Sequence, residues 1–140
     1  MSNLIVEIVS AEKEIFSGEA RMVFAPASEG EVGIAPGHTP LITQLAPGEV
    51  RVQLEDGSEQ GFYVSGGMLE VQPYVVTVLS DSAERAEDLD EAAVLKAKEE
   101  AEKAFHDKDA KIEYAVARAQ LAEAAAQLQA IQRLRKRAAR

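Results

Sequence analysis

The stretch Ser28-Glu29-Gly30-Glu31-Val32-Gly33-Ile34-Ala35-Pro36-Gly37-His38-Thr39-Pro40-Leu41-Ile42-Thr43 decides the fold. It holds three glycines and two prolines in sixteen residues. Glycine reaches positive φ and proline fixes φ without donating a hydrogen bond, so this density marks turns between short strands. Val32, Ile34, Leu41 and Ile42, between the turns, require burial, and the stretch reads as an ordered loop–strand–loop. Glu31 and His38 stand at or near its bends, a polar pair displayed for recognition. No third group is at hand to orient the imidazole, which argues against acid–base catalysis.

The flanking sequence carries the same signature. Leu4, Val6 and Ile8 alternate with Ile5, Glu7 and Val9, and Val50, Val52 and Leu54 alternate with Arg51 and Gln53. The run from Ala20 to Ala25 is apolar on both phases apart from Arg21, as in a strand covered on both faces. Asp56-Gly57 between two strand runs signals a hairpin, with Phe62-Tyr63-Val64 as the return strand. Ser65-Gly66-Gly67 and Pro73-Tyr74 turn the chain twice more before Val75 to Leu79. Residues 1–84 are therefore expected to form an antiparallel β-sandwich.

After residue 84 the period changes. Asp88 is the expected N-cap, with Glu91 completing a capping box, and a helix is expected from Leu89 to Phe105. The run His106-Asp107-Lys108-Asp109 breaks it, and a second helix follows from Ala110. The short break predicts an antiparallel helical hairpin over residues 85–140, making the chain α+β. The expected seam is small: Leu89, Ala93, Ala97, Ala101 and Ala104 against Ile112, Val116 or Ala115, Ala119, Ala122 and Ala126. Leu121, Leu128, Ile131 and Leu134 form a second, larger stripe. An alanine seam buries little area, so the hairpin is expected to be weakly fastened.

Charge narrows the function. The 140 residues carry a formal net charge of −9, which argues against nucleic acid as the main partner. The last ten residues oppose this trend: Arg133, Arg135, Lys136, Arg137 and Arg140 are five bases with no acid among them. There is no cysteine, hence no disulfide, thiolate metal site or cysteine nucleophile. No metal cluster, phosphate loop or nucleophile elbow is evident, and no cofactor is expected. No apolar run is long enough for a transmembrane helix, and the N-terminus lacks a signal-peptide pattern.

Several motifs occur together in order: Val9-Ser10-Ala11-Glu12, Phe16-Ser17-Gly18, the Ser28–Ile34 and Pro36–Leu41 segments, and Ser65-Gly66-Gly67-Met68-Leu69-Glu70-Val71-Gln72-Pro73. In this combination the chain resembles, over essentially its whole length, the epsilon-subunit family of bacterial F-type ATP synthases. The resemblance implies a non-catalytic rotor subunit that couples proton flow to ATP synthesis and restrains ATP hydrolysis through its C-terminal helices. It implies the gamma subunit, the c-ring and the alpha and beta subunits as partners. It further implies a peripheral location on the cytoplasmic face of the bacterial inner membrane, without membrane insertion of this chain. On it, Glu31, Gly33, Gly37 and His38 are carried over as contacts to the c-ring and gamma. Arg133, Arg135, Lys136 and Arg137 are carried over as the inhibitory contact with an acidic segment of the catalytic head. Some members also bind ATP through a motif that Asp90 matches here. The motif's arginine position holds Ala93, so nucleotide binding is expected to be weak or absent.

Overall fold

The computed structural model describes residues 3–106 and 114–138. Ten strands come first: β1 (Leu4–Ser10), β2 (Glu14–Ala20), β3 (Met22–Ala27), β4 (Gly30–Ile34), β5 (Leu41–Leu45), β6 (Gly48–Gln53), β7 (Glu59–Val64), β8 (Gly67–Val71), β9 (Val75–Ser80) and β10 (Ala83–Arg85). A 3-10 turn, Ala86–Asp88, leads into α1 (Glu91–His106), and α2 (Tyr114–Ala138) follows.

The strands join in the order β10-β7-β6-β3-β5-β8-β9-β1-β2, with β4 paired to β3 alone. The sheet folds on itself around one apolar core. Leu4, Val6 and Ile8 of β1, Val50 and Val52 of β6, and Val76 and Val78 of β9 point into that core. These are the residues that strict alternation selects, because successive side chains of a strand face opposite ways. The Asp56-Gly57 turn closes the β6–β7 hairpin in the register Gln53↔Glu59. Gly67 has φ 135°, and a Cβ there would lie 2.0 Å from the Leu79 carbonyl oxygen, so only glycine lets β8 start so close to β9.

The sandwich departs from the expectation in one pairing. β1 runs parallel to β9, in the register Ile5↔Val75 through Ser10↔Ser80, while the other pairs are antiparallel. Ile42 also departs: it is 70 % exposed, although Ile34 is fully buried and Val32 and Leu41 pack against the core. Ile42 lies opposite Glu70 on the outward phase of β5, whereas its neighbours in phase with Leu45 turn inward.

The helices form, but with different caps and faces. Asp90, not Asp88, caps α1: its Oδ1 accepts hydrogen bonds from the backbone N–H of Ala92 at 3.0 Å and of Ala93 at 3.3 Å. Asp88 closes the 3-10 turn instead. Of the expected seam, Ala101 is buried, Leu89 packs beside the hairpin core and Ala126 is half-buried, but Ala93, Ala97, Ala115, Val116, Ala119 and Ala122 are exposed. Burial falls on Val94 and Ala101 in α1 and on Ala117, Ala124, Ala130 and Ile131 in α2, with Leu89 and Leu128 packed beside them. Ile131 and Leu128 of the larger stripe join this inner face, while Leu121 and Leu134 are half-buried. The expected helix start at Ala110, the break at residues 107–109, the seam position Ile112 and the terminal Arg140 lie outside the described residues, as does the side chain of Ala104. On the exposed side, Lys103 pairs with Glu99 at 3.6 Å, as its helical spacing predicts.

Phe62 lies at the centre of the core, fully buried and tilted against Phe16 at 5.3 Å between ring centroids. Phe62→Ala is expected to cost about 3–5 kcal/mol of sandwich stability, measured by urea unfolding.

Candidate functional site: the α2 seat and the two outer faces

The sandwich has two outward faces, one charged and one mixed. On β7, β6, β3 and β4 the outward residues are Glu59, Gly61 and Tyr63, then Glu49, Arg51 and Gln53, then Phe24, then Glu31 and Gly33. This face is polar, and α2 lies along its β6 and β7 strands. On β5, β8, β9 and β1 the outward phase presents Ile42, Met68, Leu79 and Ile5, all exposed, with Gln44, Glu70, Thr77 and Glu7 between them. Tyr74, also exposed, stands at the end of this face.

The seat of α2 centres on Glu49. Its side chain is only 1 % exposed. Arg133 Nη1 approaches Glu49 Oε1 at 3.3 Å, and Arg137 Nη2 approaches Oε2 at 3.5 Å. Arg137 also donates through Nη1 to Glu59 Oε1 at 3.0 Å. The room for this comes from Gly61. A Cβ there would fall 2.3 Å from Glu49 Oε2 and 2.6 Å from Arg137 Nη2. An isolated glycine inside a strand is the sequence signal for such a close approach, and it stands beside Phe62 in plain view. Nothing comparable marks Glu49, which in sequence is one more acid of an acidic chain.

Burial pushes the Glu49 carboxyl above the ordinary carboxylate range, and the opposing pull of Arg137 and then Arg133 does not fully offset it. Tyr63, opposite Glu49 across the ladder, is also buried. Its hydroxyl feels the Glu123 carboxylate of α2 but lacks the geometry of a hydrogen bond. Burial first, and that carboxylate second, raise the phenol so that it stays neutral.

The positions singled out from sequence fall into separate places. Glu31 lies near the start of β4, where its Oε1 accepts from Arg51 Nη2 at 2.7 Å. His38 lies beyond the other end of β4, with Nδ1 2.6 Å from the Thr39 carbonyl, a contact that places the proton on Nδ1. The structure does not bring the two together. Gly37 turns with φ 85°, and its N–H donates to the Pro73 carbonyl at 2.6 Å, tying that turn to the β8–β9 turn. Gly33 faces Phe24 across the β3–β4 ladder. Arg133 and Arg137 sit on the sandwich acids, Arg135 pairs with Glu91 at the start of α1, and Lys136 lines a cleft of about 550 Å³ with Arg51, Ser58 and Glu59. Asp90 is occupied as the α1 cap. Among the described residues no cluster of metal-ligating side chains occurs, and no helix is long and apolar enough to cross a membrane.

Comparison with known proteins bears on this two-part architecture. Residues 3–86 match the family model "ATP synthase, Delta/Epsilon chain, beta-sandwich domain", and residues 87–132 match "ATP synthase, Delta/Epsilon chain, long alpha-helix domain". The chain belongs to the ATP synthase epsilon chain family. It is 66 % identical over 132 residues to the ATP synthase epsilon chain of Nitrosococcus oceani, covering 94 % of each chain. It is 60 % identical over 140 residues to that of Alkalilimnicola ehrlichii, covering 100 % of each. A chain in the cryo-EM structure of the Euglena gracilis mitochondrial ATP synthase, OSCP/F1/c-ring, superposes with a TM-score of 0.84 at 25 % identity, covering 94 % of this chain and 82 % of that one. As a member of the epsilon family, the chain is a subunit of the ATP synthase complex.

Two outcomes follow for the α2 seat. Gly61→Val fills the space that admits Arg137, so it is expected to unseat α2, read as faster hydrogen exchange in α2, while the sandwich keeps its melting temperature. The seat also depends on pH. Seated Glu49 holds its proton more tightly than free Glu49, so seating is strongest at low pH and weakens as pH rises through the raised pKa. Arg133, Arg137, Tyr63 and, through Arg137, Glu59 face this group. The arginines stay charged and the tyrosine neutral over that range, so Glu49→Gln is expected to flatten the slope between about pH 4 and 7.

Proposed function

We propose that this chain is a non-catalytic rotor subunit of a bacterial proton-translocating F-type ATP synthase. It couples proton flow to ATP synthesis and restrains ATP hydrolysis through its C-terminal helices. The observation that carries the reading is the division of the sandwich into a charged face seating α2 and a second face that exposes Ile5, Ile42, Met68 and Leu79 among Glu7, Gln44, Glu70 and Thr77. Exposed apolar side chains interleaved with polar ones, here Glu7, Gln44, Glu70 and Thr77, are the composition of a protein–protein contact surface. The occupant is the gamma subunit, in line with the family. The Gly37–His38 turn, tied to the Pro73 turn at the end of this sheet, and Glu31 with Gly33 on β4 extend the contact to gamma and the c-ring. Those partners hold the chain at the cytoplasmic face of the membrane, as a peripheral protein. No residue of the chain takes a catalytic role.

The inhibitory contact with the alpha and beta subunits falls to Arg133, Arg135, Lys136 and Arg137. Three basic residues in the last turn of α2 also suit the negative end of the helix dipole. Complementary charge between this end and an acidic segment of the catalytic head speeds docking and fixes its register. Arg133 and Arg137 are engaged by Glu49 and Glu59 in the seated arrangement, so the contact requires an exchange of carboxylate partners. Nucleotide binding at Asp90 is weak or absent, because its carboxylate caps α1 and the phosphate-binding cation is missing at Ala93.

Two experiments test this. Ile42→Glu and Leu79→Glu are expected to reduce capture by gamma on the order of tenfold or more while the sandwich stays folded. Truncation after Glu87 is expected to leave gamma capture intact and raise ATP hydrolysis by the cognate catalytic head. Reversing Arg133, Arg135, Lys136 and Arg137 to glutamate should raise hydrolysis likewise. Unchanged hydrolysis with both forms bound would remove the inhibitory role, and loss of capture by both forms would overturn the rotor assignment.

A further inference from the structure

The arginines that seat α2 do not end at Glu49 and Glu59. Glu59 also faces Arg51, whose Nη1 lies 3.8 Å from Glu59 Oε2. Arg51 in turn holds Glu31 at 2.7 Å. The result is an alternating chain of six charges, Glu31–Arg51–Glu59–Arg137–Glu49–Arg133, running from the exposed edge strand β4 across β6 and β7 to α2. Three acids balance three bases. One end, Glu31, has a side chain 44 % exposed, and the other end is the seat of a helix.

Arg51 is the link between the two ends. Its guanidinium stacks on Phe24, 4.5 Å from the ring centroid, and its Nε is buried without a hydrogen-bond partner among the described residues. The aromatic face fixes the plane of the fork, so its two Nη groups choose between Glu31 and Glu59. Glu59 likewise divides its two oxygens between Arg51 and Arg137. Neutralising Glu31 leaves the cluster one positive charge in excess. It also releases Arg51 toward Glu59, in competition with Arg137.

We propose that this charge chain couples the exposed Glu31 surface to the seat of α2, so that a cationic group of a docking partner taking the Glu31 carboxylate loosens α2. The partner's side of this statement rests on the rotor reading above; the coupling within the chain does not. Coupling of this kind is reciprocal, so the seating of α2 also raises the affinity of the Glu31 surface for Arg51 over an incoming cation. The structure supplies a contiguous network, and mutational coupling is the evidence that decides it.

The test uses the full-length chain alone, which has no native cysteine, with a dye pair on Glu12→Cys and Gln132→Cys reporting seated and unseated populations by energy transfer. Glu31→Gln is expected to lower the ratio of seated to unseated chains about twofold to fivefold, as for a partly exposed ion pair. Arg51→Met, which leaves Glu59 wholly to Arg137 and removes a like charge, is expected to raise it. Adding Glu31→Gln to Arg51→Met is expected to change nothing further. Arg51→Gln serves the same comparison if the methionine variant does not fold. An unchanged ratio in Glu31→Gln, or the same drop with Arg51 already replaced, overturns the coupling. A positive result in the isolated chain, with no shift when gamma and the c-ring are added, would leave the coupling standing and overturn the assignment of Glu31 as a rotor contact.

Discussion

A carboxylate placed under a helix sets the terms for the whole C-terminal half. Glu49 is taken almost entirely out of water when α2 lies down, and that loss is only partly offset by two guanidinium groups. Buried ion pairs behave this way in general: desolvation can match or exceed the attraction, while removal of one member strands the other. Glu49 therefore contributes little net adhesion but much positional definition. The two arginines stand one helical turn apart on α2, and both must reach the same carboxylate, which fixes the rotation and the axial position of the helix. The empty space at Gly61 makes that meeting geometrically possible.

Around this point the sandwich serves as a two-sided plate. Its interior is closed by alternating aliphatic residues, and its exterior is divided between a charged side that carries its own helix and a mixed side, with exposed aliphatic residues, that does not. The same strand order produces both, because β3 and β5 stand next to each other where the sheet passes from one half to the other. The side without the helix leaves its surface uncovered while α2 occupies the charged side. The ion-pair row through Arg51 is where the charged side extends past the helix to an exposed edge.

Much of this was legible in the chain. Alternation placed β1 and β6, the Pro73-Tyr74 turn placed β9, and Asp56-Gly57 placed a hairpin. Helix formers after residue 90 placed α1 and α2. The parallel β1–β9 pair was not legible, since nothing local in Leu4–Ser10 says which distant strand it will meet. The helix faces were misphased apart from Leu89 and Ala101, because alanine is equally at home on either side of a helix, so a stripe of it carries no direction. Leu128 and Ile131 of α2 carried it instead. Ile42 was placed inside on hydrophobicity alone, though its phase relative to Leu45 turns it outward. Of the site residues, the basic end of α2 was visible as a charge anomaly. Its acidic counterpart was not, because Glu49 acquires its character only from the helix that covers it.

The parallel pairing of β1 with β9 has a consequence for how the molecule comes into being. During synthesis β1 finds β2 at once but must wait some seventy residues for its other neighbour, β9. Non-local closure of this kind is slow and leaves an edge open in the meantime. The sandwich can be completed only when Arg85 has been made, and the helices are made after that. They arrive at a finished surface with Glu49 already in place, so the order of synthesis itself presents the seat before its occupant.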